Sequence, residues 1–224
     1  MTRVVVFALF SIVFNCASAQ VKRPVRQPPP PPEKKPVKEW IGILVGPNFN
    51  SLRYHDNTTT IEGTNAALHG GLFYRKDVNK KLSFQPWLLF CVRGGEINNV
   101  DSTVNASLSY LELPINVLYV HKQLSIGGGP NFCYAITGKF VSNGVKRNAY
   151  DPLESFERTL KRFELGANFV IAYQFKNQLS LLANFSPGLS NIYKGDHSAP
   201  SNVHASTSTF GLSIAYRFDI VREE

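Results

Sequence analysis

From Trp40 to Phe218, apolar and polar residues alternate one by one over stretches of about eight to eleven positions. Leu179, Leu181, Ala183 and Phe185 interleave with Ser180, Leu182, Asn184 and Ser186. Phe210, Leu212, Ile214, Tyr216 and Phe218 interleave with Gly211, Ser213, Ala215 and Arg217. The same rhythm carries Leu124 to Tyr134, Leu82 to Val92 and Leu111 to Tyr119. A period of two is the repeat of a β-strand whose two faces meet different surroundings. These runs exceed the five or six residues of a typical soluble strand, and they match the 9 to 11 residues, roughly, of a tilted bilayer crossing.

Eight strands are expected, near 40–50, 66–76, 81–94, 107–120, 123–138, 161–175, 178–190 and 206–219. The second, with His69, Gly70, Gly71 and Arg75, alternates too weakly for its faces to be assigned. Between them, tight connections (Lys76 to Lys81, His121 to Gln123, Lys176 to Gln178) alternate with long ones near 51–65, 95–106, 139–160 and 191–205. An even-stranded outer-membrane barrel with both termini in the periplasm produces this order, because its periplasmic turns are short and its outer loops long. The expected fold is therefore all-β: an eight-stranded antiparallel transmembrane β-barrel with short periplasmic turns and long outer loops.

The rival architecture is a soluble eight-stranded barrel that turns its apolar face inward around a ligand. Two features oppose it. The non-apolar face is mostly Gly, Ser, Asn and Gln, which suits a narrow packed lumen, and the apolar face carries Tyr119, Tyr134, Tyr173, Tyr216 and Phe218 near strand ends, where interfacial girdles sit. Eight strands leave an interior that side chains just fill, so a solute pore is not expected. The charges on the polar face are Arg93, Glu112, Arg162, Glu164 and Arg217. Enclosed charges at membrane depth pair with one another, and a bridge from Glu112 to Arg93 on the neighbouring strand is the expected lumen lock.

The N-terminal residues have a different character. Arg3 followed by the apolar run Val4 to Phe14, too short for a helical span, and by Ala17-Ser18-Ala19 reads as a signal peptide over 1–19. Residues 20–39 form a basic, proline-rich periplasmic linker in which Pro28, Pro29, Pro30, Pro31 and Pro32 are consecutive. Such a run forms a semi-rigid polyproline II helix, with no place in a sheet. It serves either as a spacer or as a preformed ligand for a partner. The barrel occupies 40–224. Of the formal charge of +8, six basic and two acidic residues of the linker supply half. An exported chain meets no nucleic acid, so this charge suits lipid phosphates, lipopolysaccharide, the cell wall or an acidic envelope protein.

Chemistry is sparse. Cys91 and Cys133 fall on different strands with a third between them and read as small apolar fillers. His55, His69, His121, His197 and His204 show no metal-ligand spacing, so no metal, cofactor or catalytic set is expected. Gly127-Gly128-Gly129 has neither the lysine nor the helix of a phosphate loop. His197 with Ser198, or His204 with Ser206, could imitate the rim site of a lipid-modifying barrel enzyme. Asp151, Pro152 and Glu154 could cap a short helix carrying Leu153, Phe156 and Leu160 on one face, with strand extension as the alternative. Asp101-Ser102-Thr103 resembles an O-glycosylation acceptor.

Seven short pieces, in order, resemble the PorT-like outer-membrane β-barrel family of the Bacteroidota, over nearly the whole stretch from Trp40 to Phe218. They are Gly46-Pro47-Asn48-Phe49-Asn50, Leu82-Ser83-Phe84-Gln85-Pro86, Tyr110-Leu111-Glu112-Leu113-Pro114, Gly127-Gly128-Gly129-Pro130, Phe163-Glu164-Leu165-Gly166, Gly188-Leu189-Ser190-Asn191-Ile192 and Tyr216-Arg217-Phe218. The resemblance implies an integral outer-membrane protein, with no catalytic motif and, for some members, a link to type IX protein secretion. The expected function is a non-enzymatic structural, accessory or protein-binding role in the cell envelope.

Overall fold

The computed structural model describes residues 38–55, 60–98, 103–151, 159–194 and 203–219. The expected signal peptide, the run Pro28 to Pro32, Asp101 and Ser102, the helix expected after Asp151 and the His197-Ser198 pair lie outside them. The strands are β1 (Glu39–His55), β2 (Thr60–Asp77), β3 (Leu82–Asn98), β4 (Thr103–His121), β5 (Leu124–Ser142), β6 (Val145–Asn148), β7 (Phe163–Gln174), β8 (Leu179–Pro187) and β9 (His204–Asp219). The sheet runs β4-β3-β2-β1-β9-β8-β7-β5, every pairing is antiparallel, and β4 with β5 closes it. This is the expected eight-stranded barrel. The added strand, β6, is a short return of β5 that pairs with Lys139 to Ser142 above the point where β7 ends.

Both strand termini of the barrel and three tight connections share one end, here the turn end. Lys122 and Gln178 hold positive φ in two of those turns, and the Asn79 side chain accepts hydrogen bonds from the Lys81 and Leu82 amides in the third. At the opposite, loop end, the structure corrects two expected long loops. β1 and β2 continue to His55 and Thr60, and β3 and β4 to Asn98 and Thr103, so only 56–59 and 99–102 remain as connections. Six strands (β1 to β5 and β9) have 16 to 19 residues, well beyond the 9 to 11, roughly, that cross a bilayer.

These strands look shorter in the sequence because their alternation changes sign instead of stopping. On β4, Leu111, Leu113, Val117 and Tyr119 are exposed on the outer wall, and the same face continues as Ser107 and Asn105. The inward face runs from Asn116 and Glu112 to Tyr110, Leu108 and Ala106, the last three buried. On β5, a bulge opposite Ser109 and Tyr110 takes up one extra residue, leaving Ile136 and Thr137 both exposed. A bulge shifts the side-chain phase by one position, and this one brings Phe140 inward, where it is buried.

The weakly patterned β2 now has faces. Leu68 and Leu72 are exposed outward, while His69, Phe73 and Arg75 are buried inward. Its ladder to β3 lapses between Thr64↔Glu96 and His69↔Cys91, near Gly94, whose φ of +139° suits glycine. The Val92 carbonyl accepts instead from the Asn48 and Asn50 side-chain amides at 3.2 and 2.9 Å, as a buried polar group requires. Among the described residues no helix is long and apolar enough to cross a membrane.

Candidate functional site

The interior is stacked in three layers. At the turn end lies an apolar plug of Trp40, Leu44, Phe73, Trp87, Leu89, Leu118, Val170, Ala172, Leu182 and Ala215. This corrects the expectation of a mostly small and polar lumen at the turn end: the alternation that exposes Leu88 or Leu181 to the outside also turns Leu89 and Leu182 inward. At the mouth of the plug the Arg75 and Arg217 guanidiniums each lie 5.1 Å from the Trp40 ring centroid. Arg75 also donates to the Ser83 hydroxyl at 3.0 Å and lies 3.4 Å from Asp77. Arg217, expected inside the lumen, is half-buried at this mouth.

The middle layer is polar and holds the charged residues that the sequence singled out. Arg93 on β3 donates from Nε to Glu112 Oε1 on β4 at 2.7 Å, and the two side chains are 1% and 4% exposed. Its Nη1 donates to the Thr207 hydroxyl on β9 at 2.7 Å and lies 3.5 Å from Glu164 on β7. Thr207 donates to Glu164 from its amide and its hydroxyl. Asn131 on β5 and the Cys91 thiol also donate to Glu112. The guanidinium thus joins four strands, β3, β4, β7 and β9, and Asn131 ties β5 to the network through Glu112. Cys91 and Cys133 are both buried and unbridged.

Sequence reasoning missed Asn131 and Thr207 as members of this network. The signal for Thr207 was the polar inward row Thr207, Thr209, Ser213 on β9, each buried. A second set of bonds lies in the same layer. The Asn168 amide donates to Asn116 at 2.8 Å, the Ser186 hydroxyl donates to Asn168 at 2.6 Å, and His69 meets Ser213 at 2.7 Å.

The third layer, at the loop end, is apolar again. Leu52, Leu108, Tyr110, Ala135, Phe140, Ala149, Leu160, Ile192 and Ala205 form one buried cluster. β7 and β8 do not reach this height, and single backbone rungs close the gap: Ala149 to Gly138, Leu160 to Ala149, Lys161 to Ile192 and Ile192 to Ala205. Arg162 belongs to this rim and not to the lumen. Its Nη1 donates to the Ala135 and Ile136 carbonyls at 3.0 and 2.8 Å, and its guanidinium stands 4.6 Å over the Tyr150 ring. Burial pushes the Tyr150 phenol up to about 12.

The arrangement can brace and seal a barrel. Among the described residues no group of three or more His, Cys, Asp or Glu could hold a metal ion. Gly127 to Gly129 sit inside β5, where a Cβ would collide with the Val117, Asn168 and Ile115 carbonyls of the flanking strands.

A family model described as outer membrane protein beta-barrel domain matches residues 19–194. No curated protein matches the chain. Among solved structures, Neisserial surface protein A is similar over 79% of this chain and 97% of its own, with 9% identity and a TM-score of 0.50. Ail, the attachment invasion locus protein of Yersinia pestis, is similar over 81% and 98%, with 15% identity and a TM-score of 0.46. OprG of Pseudomonas aeruginosa gives 82% and 97%, 10% identity and 0.47. At these identities the likeness is one of fold.

Proposed function

The chain belongs to the outer membrane protein beta-barrel domain family, and we propose from that premise that it is a sealed, non-enzymatic envelope protein that works by binding. Its loop end stands outside the cell and both termini lie in the periplasm. The interior carries this reading. An apolar plug, a charge-locked polar layer and an apolar upper core occupy the lumen in succession, which leaves the outer surfaces and the ends to act. Extra strand length and the two longer connections all lie at the end opposite the termini, as outward loops do in this class of barrel.

In a planar bilayer the full chain should show no steady conductance; open-channel steps would overturn the sealed reading. The partners fall into two groups: outer-membrane lipid or lipopolysaccharide around the wall, and envelope proteins at the ends. After signal cleavage following Ala19, the basic run through Pro28 to Pro32 reaches into the periplasm. Deleting residues 21 to 38 should release a periplasmic partner in pull-downs while the barrel stays folded. Unchanged partners would reduce the segment to a spacer. Turnover of lipopolysaccharide by purified protein, lost in His204→Ala or His197→Ala, would overturn the non-enzymatic reading.

The PorT-like resemblance supports a second reading, an accessory of type IX secretion. Its piece Tyr110 to Pro114 contains Glu112, the carboxylate at the centre of the lumen lock. A gene deletion that leaves type IX cargo export intact would exclude it.

A further inference from the structure

The register of β1 and β9 brings together two histidines that are far apart in sequence. His55, the last residue of β1, is the direct cross-strand partner of His204, the first residue of β9. Both are exposed, and both share the outward face, because their neighbours in the inward phase, Leu52 and Ala205, are fully buried in the upper core. The row below on the same face is Arg53 opposite Ser206, and the next is Ser51 opposite Ser208.

We propose that His55 and His204 together bind a divalent transition-metal ion on the outer wall at the loop end. Directly opposed residues of an antiparallel pair have Cβ atoms about 4.5–5.5 Å apart. Two imidazoles at that separation can each turn one ring nitrogen toward a common ion at about 2.0–2.1 Å. Both strands are fixed from behind by the packed upper core, so little order has to be supplied on binding. Imidazole pairs favour Cu²⁺, Ni²⁺ and Zn²⁺ over the hard, oxygen-seeking Mg²⁺ and Ca²⁺. Two protein ligands leave coordination positions open to water or to a donor group of a bound partner. The sequence could not show this pair, since spacing rules follow one strand or helix and this site is made by register.

The test is equilibrium titration of the untagged full chain, refolded in micelles, with Zn²⁺ and Ni²⁺ against a chromophoric chelator. One ion should bind per chain. His55→Ala and His204→Ala should each weaken binding on the order of ten-fold or more, while His121→Ala, at the turn end, leaves it unchanged. Heat-dependent gel migration checks that each variant still forms a barrel. Wild-type affinity in both variants would overturn the proposal, as would loss of binding with His197→Ala while His55→Ala binds normally. Equal binding of Mg²⁺ would also overturn it.

Discussion

The lower and upper halves of the same strands solve opposite problems. In the lower half of β4, Leu111, Leu113 and Val117 face outward and Asn116 and Glu112 face the lumen; in the upper half, Ser107 faces outward and Tyr110, Leu108 and Ala106 are buried within. The lower half is an inside-out protein that satisfies its backbone by closure and its charges by pairing. The upper half obeys the ordinary rule of a water-soluble sheet, with the apolar face turned to a core. The β3–β4 ladder runs on through the change, so β4 keeps its phase while its side chains change character, and β5 takes up one bulged residue at the same height. A barrel wall can therefore leave the membrane with its strands intact, and the height at which polarity inverts marks where lipid gives way to water.

Three substitutions probe the two halves, the largest effect first. Arg93→Met leaves Glu112 and Glu164 enclosed without their cation. Breaking a buried pair in this way costs about 3–5 kcal/mol, which denaturant unfolding in micelles would read; a loss below roughly 1 kcal/mol would make the lock dispensable. Next, Leu113→Arg should destabilise by about 2–4 kcal/mol because it places a charge in lipid. Ser107→Arg, three outward positions higher on the same strand face, should stay within about 0.5 kcal/mol. Similar costs at both sites would erase the boundary between the halves.

The effect at the rim shows only at alkaline pH. Burial favours the neutral phenol of Tyr150 in the folded state, raising it from its ordinary value of 10.0 to about 12. The stabilisation tied to that neutral form is complete below about pH 10 and is lost as pH rises toward 12. Alkaline difference absorbance between wild type and Tyr150→Phe should show a phenol whose midpoint is pushed up to about 12.

The barrel itself was legible in the sequence, because most crossing strands, β2 excepted, repeat their apolar side chains with period two and lipid demands a continuous stripe. Strand ends at the loop end were not legible. A pattern that inverts, as between Leu111 and Ser107, reads as the end of a strand when only the apolar face is followed. The bulge at Ile136 and Thr137 hid the inward phase of Phe140 in the same way. Of the charged residues on the polar face, Arg93, Glu112 and Glu164 meet in the lumen, since register sets Glu112, Cys133 and Glu164 side by side on β4, β5 and β7, within reach of Arg93. Arg162 and Arg217 share their phase but stand just beyond the enclosed depth, where a long side chain finds carbonyls or an indole ring instead. Their height along the barrel depends on register and tilt, which alternation does not carry.

The inversion is tested most directly by spin labels placed along the outward face of β4. Leu113→Cys, Leu111→Cys, Ser109→Cys and Ser107→Cys are each labelled in a Cys91→Ser, Cys133→Ser background and reconstituted in bilayers. Collision with oxygen, which concentrates in lipid, and with a water-soluble nickel chelate is then compared site by site. Labels at 111 and 113 should favour oxygen and those at 107 and 109 the chelate, with the crossover between 109 and 111. Oxygen-dominated collisions at all four sites would place the upper half in lipid and contradict the division of the barrel into two halves.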